Sequence, residues 1–462
     1  MTTNNNDFNK GEDVLIYDPS ETGKSSRPEK REGGSGWWYE PEPDKGRKKR
    51  RWTFLQSSSR HQKIAGLDAL RTIAIVFIIL YHMFPYTIKG GYLGVCLFLM
   101  LSGFLMANAD EIRFPDEDDK AGGEDGISGR IAAAYSNFSH RRYEAGFLNR
   151  LEKTLQKVLG FYVKRIVRIY PALIITVLSV CGIYRIFASD TMVNVRQEVL
   201  ATLAGYNNWW QVHNNASYFD QAGNYSPFTH MWYMGLILQL YLIWPFLSML
   251  IEWLADRLGE RICLRILAGS VLVLALPMII GSFLGVNTTR LYYGTDTRIF
   301  SFMIGVFAAK LQRWIPVEVR IRQYQVSRTV MRRPGVAYLI LWAILLAACI
   351  FLPGESAFVY RGGMLLINII MGIVLTITAF EKLPFGEMLE QPFLKQISRY
   401  SYEAYLWMYP VIFLFGYRKW SIPFISAVLQ ILIIAGLSVW THKAAALAVG
   451  QIRRIMNGQE EE

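Results

Sequence analysis

Arg71 and His82 are the residues whose types and spacing most directly suggest chemistry. Both lie in the apolar stretch GLDALRTIAIVFIILYHMFPYTIKGGYLGVCLFLMLSGFLMAN, residues 66–108, with ten residues between them. On a helix the second sits only about 20° round from the first and roughly 16 Å further along the axis, so the two share a face. An ionisable pair inside a membrane-length span is costly and points to a site lining an internal cavity. An arginine alone at that depth would also fit snorkelling towards the headgroups. An imidazole suits the removal of a proton from a hydroxyl, because its ordinary pKa is near neutrality.

Three further clusters carry polar chemistry. Lys164, Arg165 and Arg168 in FYVKRIVRIYPAL open an apolar span. Such bases either mark topology or clamp phosphate, since guanidinium pairs phosphate oxygens two at a time and would hold an anionic carrier such as CoA. His230 and Trp232 in SPFTHMWYMG fit equally a polar site and an interfacial position in an aromatic belt. Asp296 and Arg298 in YYGTDTRIF read as an ion pair locking span ends, ahead of a direct catalytic role. The aromatics Tyr206, Trp209, Trp210, Tyr218 and Tyr225 fit both an aromatic belt and a platform for sugar rings.

The elements that must position these residues are helices in a bilayer. Of the 462 residues, 52% are hydrophobic, 14% aromatic and only 19% charged, and the mean hydropathy is +0.20, which excludes both a soluble enzyme and a disordered protein. Apolar runs of membrane length predict an all-α polytopic protein with ten transmembrane helices, at 64–84, 91–109, 160–187, 229–253, 264–285, 294–314, 336–353, 362–380, 398–417 and 422–446. Lys and Arg gather in alternate loops, so the net charge of +12 is assigned to topology rather than to nucleic acid. Both termini are then cytoplasmic in a multi-pass protein of the cell membrane, with Arg71 towards the cytoplasmic half and His82 near the outer end of the first span.

Residues 1–60 read as a disordered tail ending in the basic run RKKRR at 47–51, beside anionic lipid. Residues 61–448 form the membrane domain, interrupted at 110–159 by a cytoplasmic loop, and 449–462 are a short tail. That loop starts as the acidic linker FPDEDDKAGGEDG and turns basic and amphipathic from Tyr143 to Lys157, as a helix on the inner surface would. Residues 188–228 read as the longest outer loop. Cys96, Cys181, Cys263 and Cys349 fall in or beside apolar stretches, so neither a disulfide framework nor a metal site is expected.

With these residues in place the chain resembles the integral-membrane acyltransferase 3 family, from Gly66 to Ala446. The resemblance rests on the Arg71–His82 spacing, then GVCLFLMLSGFL from Gly94, FYVKRIVRIYPAL, GTDTRIFSFMIG and SYEAYLWMYPV in that order. The segments NNWWQV, SYF and SPFTHMWYMGLILQLYLIWP are most similar to bacterial members that O-acetylate cell-wall polysaccharide, notably peptidoglycan. The resemblance implies that acetyl-CoA, a substrate rather than a bound cofactor, is held from the cytoplasm by Arg71, Lys164, Arg165 and Arg168. It implies further that His82 is the catalytic base or acyl acceptor for transfer to an extracytoplasmic carbohydrate hydroxyl, with His230, Trp232, Asp296 and Arg298 on the acceptor side or structural. Two positions depart from the family: Ile237 stands where many members have a carboxylate, and Met408 where many have histidine. No hydrolase-like domain follows the membrane part, so the expectation is either a separate extracytoplasmic protein that completes transfer or a smaller, lipid-linked acceptor. The rival from another class is a transporter or flippase of a lipid-linked sugar, with Arg71 and His82 in a polar pathway.

Overall fold

A computed structural model describes residues 66–109, 139–192, 195–219, 226–314, 332–380, 389–417 and 423–456. The expectations for the N-terminal tail and its basic run, for the acidic linker and for Tyr225 lie outside the described residues. Among the described residues there is no strand, and the chain is all-α as expected.

In chain order the helices are α1 (Leu67–Met83), α2 (Leu93–Asn108), α3 (Ser139–Phe187), α4 (Val195–Leu203), α5 (Asn207–His213), α6 (Trp232–Leu258) and α7 (Glu260–Phe283). They continue as α8 (Thr288–Tyr293), α9 (Thr295–Trp314), α10 (Arg332–Phe351), α11 (Met364–Phe380), α12 (Pro392–Arg399), α13 (Ser401–Tyr417) and α14 (Pro423–Met456). A helix overlaps each expected span. Among the described residues, five segments are long and apolar enough to cross a membrane: Thr154–Phe187, Thr229–Leu258, Glu260–Phe283, Val359–Ala379 and Phe424–Ile452. The chain is therefore a multi-pass membrane protein.

Helix α2 is apolar on every side and buried along most of its length, which places it at the centre of the bundle. It packs most closely on α9, where a Cβ at Gly103 would run into the Phe302 carbonyl oxygen and one at Gly305 into that of Met100. Only glycine permits backbones so near, the usual device where two apolar helices meet in lipid. Helix α1 packs on α2 with one side and on α12 and α13 with the others, so Arg71 and His82 both face protein.

Two segments differ from the sequence reading. The basic stretch Tyr143–Lys157 is not a separate surface helix; it is the first part of α3, which runs 49 residues without interruption. The expected outer loop forms α4 and α5, a hairpin that folds back along α3. The Leu203 carbonyl at its turn accepts a 2.9 Å hydrogen bond from Tyr170, which sits about 25 Å of helix below Phe187. Its polar side chains are paired inside the bundle, which is why so polar a segment can be buried. Asn208 donates to the Tyr293 carbonyl (3.1 Å) and to Thr295 (3.0 Å) and accepts from Gln239 of α6 (2.8 Å). Gln211 donates to Glu198 at 2.6 Å. Burial raises the Glu198 carboxyl above the usual range, while hydrogen bonds from Ser226, Gln211 and Asn207 pull it down.

Candidate functional site

Arg71 lies one turn into α1 and is held rather than snorkelling. Its guanidinium donates to Ser398 of α12 (3.1 Å) and reaches the Asp68 carboxylate (3.4 Å), and the Ser398 hydroxyl donates to Asp68 at 2.7 Å. Thr72 ties the same turn to the Leu394 carbonyl at 2.8 Å. Arg165 of α3 is half-buried, its guanidinium over the rings of Tyr241 (4.9 Å) and Phe161 (5.2 Å). Arg168 lies within electrostatic range of both Arg71 and Arg165. Three of the four expected donor-binding cations thus share one end of the bundle. Lys164, next to Arg165 on α3, is exposed, as is Arg168.

His82 closes α1 at the other end. Its Nδ1 lies 2.7 Å from the Ile78 carbonyl oxygen. A carbonyl can only accept, so Nδ1 carries the hydrogen and Nε2 keeps its lone pair. The ring lines a cavity of about 390 Å³ together with Tyr81, Tyr218, Tyr409, Phe413 and Tyr417. Edge-on contacts with Tyr218 (5.5 Å) and Tyr409 (5.4 Å) fix its orientation.

His230 is 1% exposed, not interfacial, and packs on the same Tyr409 ring at 5.2 Å. Its Nε2 donates to the Leu406 carbonyl at 3.2 Å. Pro410 accounts for that acceptor: within α13 it has no N–H to return to residue 406 four places earlier, so that carbonyl needs another donor. Trp232 is equally buried, against Tyr292 (4.9 Å) and Tyr293 (5.2 Å).

Asp296 and Arg298 do not pair. Two residues apart on a helix they face about 200° away from each other. Asp296 binds Arg290 through both oxygens, at 3.0 and 2.9 Å. Arg298 is fully buried, over the Tyr292 ring at 4.9 Å, with its nitrogens on Cys96 Sγ (3.3 Å) and Met364 Sδ and its Nε without a partner.

Sequence reasoning missed the residues that join the two ends. Tyr241, beside Arg165, is within electrostatic range of Tyr233. Tyr233 packs on Tyr405 (5.3 Å), Tyr405 on His230 (5.4 Å), His230 on Tyr409 and Tyr409 on His82. Ring contacts therefore run from Tyr233 through Tyr405, His230 and Tyr409 to His82. The available signal was the four-residue spacing of Tyr405 and Tyr409 on one helix face. Ile237 and Met408 are both buried among apolar side chains, at 3% and 0% exposure.

The acyltransferase domain of the acyltransferase 3 family matches residues 64–442 of this chain. Among curated relatives, the peptidoglycan O-acetyltransferase OatA of Listeria monocytogenes is 28% identical over 365 residues, 78% of this chain and 51% of its own. The O-acetyltransferase OatA of Staphylococcus aureus is 25% identical over 374 residues, 80% of this chain and 55% of its own. The chain thus spans about half the length of the relatives it matches. No solved structure matches it.

Proposed function

The chain belongs to the acyltransferase 3 family, and on that premise we propose that it is a membrane O-acyltransferase moving acetyl from cytoplasmic acetyl-CoA to a hydroxyl of an extracytoplasmic carbohydrate. The names of its relatives favour cell-wall glycan, peptidoglycan in particular, as acceptor. The observation that carries the reading is the His82 imidazole, whose Nδ1 is committed to the Ile78 carbonyl and whose Nε2 lone pair belongs to a ring lining an aromatic cavity.

In this reaction the acceptor oxygen bonds to the acyl carbonyl carbon as its proton passes to Nε2. The thioester C–S bond breaks, and the leaving sulfur takes that proton back from Nε2, so CoA departs as the thiol and the imidazole is neutral again. A variant of the same reading has His82 carry the acyl group briefly before the hydroxyl takes it. Arg71, Arg165 and Arg168 hold the phosphates of CoA at the opposite end, and exposed Lys164 adds a cation at its approach. On this reading a ten-span topology with both termini cytoplasmic would set the two ends on opposite sides of the membrane. A separate extracytoplasmic transferase remains part of the proposal where the final acceptor is polymeric.

The test is release of CoA from acetyl-CoA, with ester formation on added glycan, by the purified full chain. His82→Ala is expected to reduce ester formation at least 100-fold. Wild-type activity in that variant would remove His82 from the mechanism. Arg165→Ala and Arg168→Ala are expected to weaken binding of a non-hydrolysable CoA analogue, each about tenfold; unchanged affinity would leave them as topology signals only. A transporter would release no CoA.

A further inference from the structure

Three buried hydrogen-bond donors from three elements gather at one place without bonding to one another. Arg298 stands in the first turn of α9, Tyr92 immediately precedes α2, and Tyr360 lies in the π turn Val359–Gly363 that leads into α11. None is more than 1% exposed. Tyr92 and Tyr360 are within electrostatic range of Arg298 and of each other, and Cys96 is in range of both. Yet Arg298 Nε and the two phenol oxygens have no hydrogen-bond partner among the described residues.

Polar groups held apart in this way are commonly bridged by a small species between them, either water or an ion. Charge decides between the two. A guanidinium keeps its proton, and a buried cation is costly unless an opposite charge stands beside it. The Arg298 Nη atoms go to Cys96 Sγ, at 3.3 Å, and to Met364 Sδ, and the group lies over the Tyr292 ring at 4.9 Å. Sulfurs and ring faces are weak partners for a full charge. Water would bridge the donors and leave the charge unanswered, whereas an anion answers both. The depth of burial leaves no route for a chain attached to that anion, which points to a single small ion.

We propose that Arg298, Tyr92 and Tyr360 bind a halide ion, chloride or bromide, which takes the Nε–H and the two phenol protons and serves as the counter-ion of Arg298. The ion joins α2, α9 and the turn before α11. This site goes beyond the acyl-transfer reading and does not depend on it. It stands behind the His82 cavity, since Tyr292, under Arg298, is stacked on Tyr218 at 4.9 Å and Tyr218 lines that cavity. Glu355, exposed and in electrostatic range of Tyr360, is the rival counter-ion.

The test is thermal unfolding of the purified full chain in detergent, with sodium chloride titrated against sodium gluconate at constant ionic strength. Wild type is expected to gain about 2–4 °C in Tm and to saturate, and bromide should substitute for chloride. Tyr92→Phe and Tyr360→Phe each remove one donor and little else, and each should raise the half-saturating chloride concentration about tenfold. Cys96 allows opposite substitutions at one position. Cys96→Asp sets a fixed carboxylate beside the guanidinium and should abolish the chloride response, while uncharged Cys96→Ser should keep it. Glu355→Gln should keep it with the same half-saturation. No saturable response in wild type, unaltered half-saturation in both phenylalanine variants, or an undiminished response in Cys96→Asp would each overturn the proposal. So would a response that strengthens in Glu355→Gln, which would make that carboxylate the counter-ion.

Discussion

Arg298 is a costly residue, a guanidinium with no exposure whose hydrogen bonds among the described residues go to sulfur and not to a carboxylate. Its place is held by the Tyr292 face and two sulfurs, all weak acceptors of charge. Cys96, at 3.3 Å, is the position from which a counter-ion would reach it. Cys96→Asp is therefore expected to stabilise the protein by on the order of 1–2 kcal/mol, the gain from a charge-assisted bond less the cost of burying the new carboxylate. Thermal unfolding in detergent measures it, and a lower Tm would mean that the phenols and sulfurs already satisfy the cation. This residue also marks a limit of sequence reading. Arg71 and His82 were legible because a helical repeat alone puts them on one face of α1. Asp296 and Arg298 were misread because adjacency in sequence suggests an ion pair that the same repeat forbids. The tie between His230 and the Leu406 carbonyl was illegible: Pro410 announces a carbonyl in need of a donor, but only the packing of α6 on α13 says which donor arrives.

At the scale of elements, the spans were legible because a bilayer demands length and apolarity and little else. The α4–α5 hairpin was not, because its Asn, Gln and Glu residues are those of a loop until partners from α6 and α9 are counted. Such a network holds the hairpin only while each polar group is paired. Glu198 is its titratable member and gives it a pH signature. Burial, the larger cause, raises its folded pKa above the unfolded value of 4.5. The folded state then binds the proton more tightly than the unfolded chain, so this carboxyl costs nothing below that value, and stability falls as pH rises from there through the folded pKa. Glu198→Gln keeps the acceptor oxygen for Gln211 and removes the charge. It is expected to unfold at a higher temperature than wild type at pH 7, by on the order of 1 kcal/mol, with the two curves converging as pH falls towards 4.5. A difference independent of pH would show that the hairpin is held by shape and not by this protonation.

For the whole molecule, the decisive property is that its two ends are chemically unlike and yet connected. Arg71, Arg165 and Arg168 offer cations, whereas the His82 cavity offers an imidazole and aromatic side chains, with no Lys or Arg among its described lining residues. A soluble transferase brings donor and acceptor to one cleft, whereas here the same helix, α1, carries a residue of each end roughly 16 Å apart. Tyr233, Tyr405, His230 and Tyr409 stand in contact along the interval, and in the proposed reaction the acyl-bearing arm of CoA passes beside them to reach the His82 cavity. The proposed topology turns this polarity into sidedness, and sidedness can be measured. In sealed vesicles of one orientation, labelled acetyl-CoA supplied at the Arg71 face should acetylate glycan supplied at the His82 face, while glycan on the donor's own face stays unlabelled. Tyr233→Ala should preserve affinity for a CoA analogue and lower transfer at least about tenfold, because it opens a gap where binding geometry must be kept to within an ångström or so. Labelling on the donor's own face would mean that acceptor and CoA share the cationic end, and His82 would then lie at the far end of α1 from both substrates, outside the reaction.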